Sequence, residues 1–187
     1  EFEGVPDYTK GYYIDTWINN PNKAFVKGFE VEWQTHFWYL PGVLSGTVFN
    51  INYTHIKSEA KYPLTKYEIQ YISQPPWVKQ TIIDTFYTNR LLDQPDDILN
   101  ISLGFDYKGF SIRTSMIYQS DIFKGVNFWE ELRKSTDDYT RFDISIKQDL
   151  PWYGLQLFGN ITNLNRAKDI SLVKGNGFPS AEQHYDM

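Results

Sequence analysis

The chain has 187 residues, with 18 Lys and Arg against 23 Asp and Glu and a formal net charge of -5. This mildly acidic balance, without a run of Lys and Arg, argues against a nucleic-acid surface, because phosphate binding needs clustered positive charge. The absence of Cys excludes disulfides and thiolate metal sites. Aromatic residues make up 18% of the chain, and they favour pleated, half-buried surfaces, so the composition predicts an all-β fold.

Regular alternation of apolar and polar residues predicts about seven strands. The alternation is clearest at 25–39, 99–107 and 141–150, where large apolar side chains occupy most of the alternate positions. A further strand around 78–87 stays open, because Gln80 and Thr81 interrupt its alternation. The predicted strands are, in chain order, 8–18, 25–39, 43–55, 99–107, 110–118, 141–150 and 155–164.

The predicted connections are of two kinds. Short turns that carry Gly or Pro are expected at 39–42, 108–109 and 151–154, where the chain must reverse tightly. Long polar connections are expected at 57–98, 119–138 and 165–187, and they exceed ordinary hairpin loops. Outer-membrane barrels sort their connections in this way, with short turns on the periplasmic side and long loops outside. No window reaches the roughly 20 apolar residues of a membrane helix, but a barrel strand needs only about 9 to 11 alternating residues.

Two segments resemble a known family. The run Asn22-Lys23-Ala24-Phe25-Val26-Lys27-Gly28-Phe29-Glu30-Val31-Glu32 resembles a strand opening of TonB-dependent receptors, and the stretches 139–143 and 157–164 resemble their penultimate strands. The resemblance implies an antiparallel transmembrane β-barrel of roughly 22 strands around a plugged lumen. Residues 1–187 would then be a C-terminal part of that barrel with about seven or eight strands, without a plug domain and without the closing strand.

The same resemblance implies a function and partners. The function is energised uptake of a scarce nutrient, such as a metal chelate, a vitamin or a glycan, across the bacterial outer membrane. The partners are outer-membrane lipid, the remainder of the barrel with its plug domain, and the periplasmic energising protein TonB. No nucleic-acid partner and no cofactor are expected.

Candidate binding residues are the aromatic side chains of the long connections, because loops on a rigid scaffold carry most recognition. They are Tyr62, Trp77, Phe128 and Trp129. No catalytic motif occurs, so the chain is not expected to be an enzyme. His36, His55 and His184 stand alone, without a partner at metal-ligand spacing, so no metal site is expected.

Two other interpretations fit the same alternation. The first is a complete small outer-membrane barrel of about eight strands with a structural or adhesion role. The second is a soluble β-sandwich that binds carbohydrate through exposed aromatic residues, and it requires the apolar strand faces to meet in a dry core.

Overall fold

The computed structural model describes residues 19–75, 77–127, 129–175 and 178–186, with side chains described as far as Val173. Within these ranges the chain forms antiparallel β-strands and two short 3-10 segments, Gly42–Gly46 and Glu130–Leu132. No helix of this part of the chain has the length and apolar character needed to cross a membrane. The strands are β1 (Phe25–His36), β2 (Thr47–Tyr71), β3 (Val78–Asn89), β4 (Asp97–Tyr107), β5 (Phe110–Gln119), β6 (Phe123–Gly125), β7 (Lys134–Thr136), β8 (Tyr139–Asp149), β9 (Gln156–Ile161), β10 (Lys168–Gly175) and β11 (Phe178–Asp186).

Six strands form a continuous sheet in the order β1-β2-β4-β5-β8-β9, which we call the wall. Its strands pair without a register shift, from Gly28 opposite Ile56 in β1 and β2 to Ile146 opposite Gly159 in β8 and β9. The strands are 6 to 12 residues long, apart from β2. Among the described residues the wall does not close on itself, which fits the predicted partial barrel.

The wall confirms the predicted all-β class and most of the predicted strands. The strands expected at 99–107, 110–118 and 141–150 correspond to β4, β5 and β8, and 155–164 corresponds to β9. The open strand around 78–87 is present as β3. The strand predicted at 8–18 lies outside the described residues.

Two predicted strand boundaries are wrong. The strand expected at 25–39 ends at His36, because the chain folds into a turn in which the Leu40 N–H donates to the Phe37 carbonyl at 3.0 Å. The strand expected at 43–55 begins only at Thr47, after the first 3-10 segment, and continues to Tyr71. Part of the expected loop 57–98 is therefore strand.

The short turns all lie at one edge of the wall, as predicted. Between β4 and β5, Lys108 and Gly109 have φ values of 45° and 81°, which is the two-residue turn that matches the twist of a hairpin. Between β8 and β9, Tyr153 and Gly154 have φ values of 52° and 66°. These positive angles explain why Gly stands at both turns.

The long connections at the opposite edge are folded rather than irregular. The second half of β2, from Ala60, pairs with all of β3 in a ribbon of 12 residue pairs that we call the outer hairpin. At about 3.3 Å per residue it projects roughly 40 Å beyond the wall. The other two long connections contribute a four-stranded cap sheet in the order β11-β10-β7-β6.

Burial is concentrated where the wall meets these connections. Apolar residues of the wall remain open: Phe25 is 67% exposed and Trp33 56% exposed. A sandwich would bury such faces against a second sheet, so their exposure disfavours that interpretation. The buried cluster, which we call the junction, consists of Ser58, Ala60, Ser120, Ile122, Phe123, Thr136 and Leu172.

Candidate functional site

The wall has two chemically different faces. Because neighbouring strands stay in register, the alternation within each strand continues across all six of them. One face, which we call the outer face, is apolar, and the other, the inner face, is predominantly polar. The outer face includes Phe29, Val31, Ile51, Ile101, Leu103, Met116, Phe142 and Ile144. The inner face includes Glu30, Glu32, Asn50, Asn52, Ser102, Asp106, Arg113, Asp143, Ser145 and Asn160.

Cross-strand hydrogen bonds connect the polar side chains of the inner face. The Asn52 amide donates to a carboxylate oxygen of Glu30 at 2.7 Å. On the last pair of wall strands, the Ser145 hydroxyl donates to the Asn160 side-chain oxygen at 2.7 Å. These residues are exposed, so the inner face is a hydrated surface whose groups satisfy one another across the strands.

The two arginines of the inner face are paired with carboxylates. Both terminal nitrogens of Arg113 donate to the Asp106 carboxylate, at 2.9 and 2.6 Å. The arginine reaches it by lying over Gly104, where an added Cβ would come within 2.5 Å of the Arg113 Cδ. The Arg141 Nε donates to one oxygen of the Asp143 carboxylate at 3.1 Å. A face of this kind can line a water-filled or plugged lumen, as in outer-membrane barrels.

At the junction, a charged cluster ties the outer hairpin to the connection between β5 and β8. The Arg90 guanidinium, 17% exposed, contacts the carboxylates of Asp96 at 3.3 Å and of Asp121. One of its nitrogens also donates to the Asp121 carbonyl at 2.9 Å. Two carboxylates thereby neutralise the charge of this largely buried arginine, because a charge removed from water is costly without an ionic partner.

Two buried hydroxyls support the same region. Ser58 accepts a hydrogen bond from the Leu91 N–H at 3.0 Å, and Ser120 accepts from the Asp96 and Asp97 N–H groups at 2.9 and 3.0 Å. Leu91 and Asp96 lie outside the strands and Asp97 is the first residue of β4, so the strand ladder does not bond these N–H groups, and a buried donor without an acceptor is costly. The two serine hydroxyls therefore provide hydrogen-bond acceptors for backbone N–H groups at the point where the connections leave the wall.

An aromatic cluster covers the junction. The Tyr62 ring stacks on Tyr87 at 5.5 Å and meets the edge of Phe123 at 5.9 Å. The Arg133 guanidinium lies 3.8 Å above the Tyr87 ring, a favourable cation–π contact. Burial raises the pKa of Tyr62 and of Tyr87 above the usual tyrosine value of 10.0. Both phenols therefore stay protonated at neutral pH.

The structure separates the predicted binding residues. Tyr62 is half-buried in the aromatic cluster, and its hydroxyl donates to the Arg90 carbonyl at 3.1 Å. Trp77 lies at the tip of the outer hairpin, 59% exposed, with a φ of 64°. Nine strand positions, or about 30 Å, separate the two. Trp129 is 59% exposed beside the second 3-10 segment, and Phe128 lies outside the described residues.

A groove of about 610 Å³ adjoins the junction and was not predicted. Its polar groups are amides and one phenol, and the Gln94 Oε1 atom is buried with no hydrogen-bond partner among the described residues. No local sequence pattern indicates this groove, because its lining residues come from three segments that are far apart in the chain. The groove is lined by Asn20, Asn22, Ala24, Ala60, Tyr62, Leu91, Leu92 and Gln94. Within the described part of the chain, no three His, Asp or Glu side chains are grouped so as to hold a metal ion.

Comparison with known proteins gives one finding that identifies the architecture. The family model described as TonB dependent receptor-like, beta-barrel matches residues 2–164. The match includes both segments on which the sequence resemblance was based and every wall strand. No curated protein and no solved structure gave a significant match. Receptors of this family belong to the bacterial outer membrane, and in general they enclose a plug domain and engage TonB. The chain belongs to the TonB-dependent receptor-like β-barrel family.

Proposed function

We propose that this chain forms part of the barrel wall of an outer-membrane receptor that imports a scarce nutrient in an energised process. The observation that carries the proposal is the two-faced wall, whose apolar outer face and polar inner face run without interruption across six strands. A wall of this kind separates lipid from a hydrated lumen. The family match over 2–164 supports the same role.

The proposal assigns a place to each part of the molecule. The outer face contacts membrane lipid, and the inner face contacts a plug domain and the imported ligand. The edge with the short turns faces the periplasm, where TonB acts on the plug, and the outer hairpin and cap sheet face the medium. The barrel performs no covalent chemistry in this scheme, and transport depends on plug displacement.

The ligand would first meet the outer hairpin and the cap. Trp77 and Trp129 are exposed aromatic side chains of this region, and either can stack on a planar or glycan surface. Phe128, next in sequence to Trp129, is assigned the same role. Tyr62 contributes from the groove beside the junction. Metal chelates, vitamins and glycans remain the substrate classes proposed.

Orientation can be tested with cysteine reporters, because the chain has no Cys of its own. Lys66→Cys places a thiol on the outer hairpin, and Tyr153→Cys places one in the turn between β8 and β9. On intact cells that express the gene product, a membrane-impermeant maleimide should label the first thiol and not the second. The second should react once the outer membrane is permeabilised. Labelling of Tyr153→Cys on intact cells would contradict the orientation.

Uptake is tested by comparing cells with and without the gene. Radiolabelled ferric chelate, cobalamin and maltooligosaccharide are the probes. We expect one class to accumulate only when the gene is present, and a protonophore to abolish the accumulation. Equal uptake of all three probes with and without the gene would contradict the transport proposal for these substrate classes.

A further inference from the structure

Two lysines lie directly opposite each other on the outer face. Lys27 of β1 is the register partner of Lys57 of β2. Side chains directly opposite in an antiparallel pair have Cβ atoms about 4.5 to 5.5 Å apart, and like charges in this position are destabilising. Both lysines are exposed. An anion between or above the two ammonium groups would relieve this repulsion.

The described part of the chain provides no ion-pair partner for Lys27 or Lys57. On the inner face, by contrast, Arg113 and Arg141 each have a carboxylate. The Asp97 carboxylate, on the same face, accepts hydrogen bonds from Tyr53 and His55 at 2.6 and 2.8 Å.

One more lysine extends the positive charge along the same face. Lys61 lies four positions beyond Lys57 in β2, and Glu59 lies between them. Three positive charges stand against the negative charges of Glu59 and of Asp97, which already accepts hydrogen bonds from Tyr53 and His55, so the net charge of the region is +1. Glu59 forms no ion pair with any of the lysines. We call Lys27, Lys57 and Lys61 the lysine patch.

The lysine patch lies immediately beyond the apolar part of the outer face, on the side of the long connections. The adjacent outer-face residue pair is Phe29 and His55, whose rings are 5.6 Å apart, and Phe29 also meets Tyr53 at 5.9 Å. Two strand residues, about 7 Å, separate this aromatic layer from the lysines. In a bilayer the aromatic layer marks the interface, so the lysines stand at the depth of the lipid headgroups.

We infer that the lysine patch binds the phosphate of an anionic lipid headgroup in the leaflet on the side of the long connections. This inference rests on the proposed contact between the outer face and lipid. A phosphate bridging Lys27 and Lys57 removes their repulsion and forms charge-assisted hydrogen bonds with both ammonium groups. The bound lipid holds β1 against β2 at the height where the outer hairpin begins.

The test uses the purified gene product in nanodiscs of phosphatidylcholine, with or without an equal share of phosphatidylglycerol. The variants are K27Q/K57Q and a control, K108Q/K147Q, which removes the same charge at the opposite edge of the wall. We expect phosphatidylglycerol to raise the unfolding temperature of the parent protein and of the control. K27Q/K57Q should lose most of that shift, yet be at least as stable as the parent in phosphatidylcholine, because the repulsion is gone.

Each other outcome overturns the inference in a distinct way. Equal loss of the shift in both double variants would mean unspecific attraction to a charged surface. A shift reproduced by inorganic phosphate added to phosphatidylcholine nanodiscs would assign the patch to free phosphate rather than to lipid. If the protein entered nanodiscs of neither composition, the proposed membrane wall would itself fail, whereas normal insertion without lipid selectivity would overturn the patch alone.

Discussion

The wall and the junction are built by different interactions. In the wall the apolar residues of the outer face stay open, as with Phe29 at 55% exposure, and the strands are held by an unbroken backbone ladder. At the junction the backbone leaves the ladder, and buried side chains such as Phe123, 4% exposed, hold the connections together. A sheet that faces lipid needs little side-chain burial of its own, whereas folded loops in water need a core.

The largest effect is expected from a backbone clash in the wall. In Gly28→Ala the new Cβ would collide with the backbone carbonyl oxygen of His55 on the paired strand. We expect the pairing of β1 with β2 to fail and the yield of heat-modifiable folded barrel to fall severely. Gly159→Ala is the matched control, because nothing lies within 4 Å of its new Cβ. Normal assembly of the Gly28→Ala variant would show that β1 and β2 can move apart enough to accept the added Cβ without losing their pairing.

The next effect is expected from loss of a buried ring at the junction. Phe123→Ala removes a side chain that packs on Tyr62, and a buried Phe→Ala change costs about 3–5 kcal/mol. Limited proteolysis should cut the connection between β5 and β8 while the wall stays folded. Phe142→Ala, on the exposed outer face of β8, should leave proteolysis unchanged. Simultaneous loss of wall and junction would show that the two regions unfold as one unit.

A moderate effect is expected from the arginine of the junction. Arg90→Met leaves Asp96 and Asp121 without their shared cation. Hydrogen bonds to charged groups contribute about 1.5–3 kcal/mol, and solvent at the two carboxylates reduces this to about 1–2 kcal/mol. Faster hydrogen exchange in β3 would report the loss. The same change in the wall, Arg113→Met, should cost less than about 1 kcal/mol, since its ion pair is more exposed. If Arg90→Met and Arg113→Met lowered the free energy of unfolding equally, the ion pairs of the junction and of the wall would not differ in strength.

The smallest effect is expected from an exposed ion pair of the inner face. Lys147 and Asp149 are 3.6 Å apart, and both side chains are nearly half exposed. Lys147→Ala should change the free energy of unfolding by less than about 0.5 kcal/mol, because exposed pairs contribute little. Thermal unfolding in detergent measures the change. A cost above about 1 kcal/mol would mean that the inner face depends on its ion pairs more than the backbone ladder implies.

Local patterns were sufficient for the wall but not for the outer hairpin. The strands around Ile101 and Ile144 were found because alternation is a property of neighbouring residues. The sequence does not predict the extension of β2 to Tyr71, because Pro63 is a poor strand residue and indicates a loop. Pro63 pairs with Phe86 in the two-stranded outer hairpin, where a proline is tolerated because no other strand of the described residues pairs with the second edge of β2 there.

The candidate site was predicted less well than the fold. Aromatic residues of the long connections were identified by type, but nothing local distinguishes half-buried Tyr62 from exposed Trp77. The partners of Tyr62 come from two separate segments, the end of β3 with Tyr87 and Arg90, and β6 with Phe123. Their meeting depends on β3, whose alternation is poor at Gln80 and Thr81. The sequence therefore does not predict that Tyr87 packs on Tyr62.

The sequence by itself determined the all-β class, the two faces of the wall, the sides on which short turns and long connections lie, and the family. Each of these follows from short-range alternation, turn residues or motifs. Only the tertiary structure decided that Ser58, Ser120 and Thr136 are buried, and that Lys27 faces Lys57. Small polar residues become buried when distant segments meet, and cross-strand neighbours depend on register, which is set by the whole sheet.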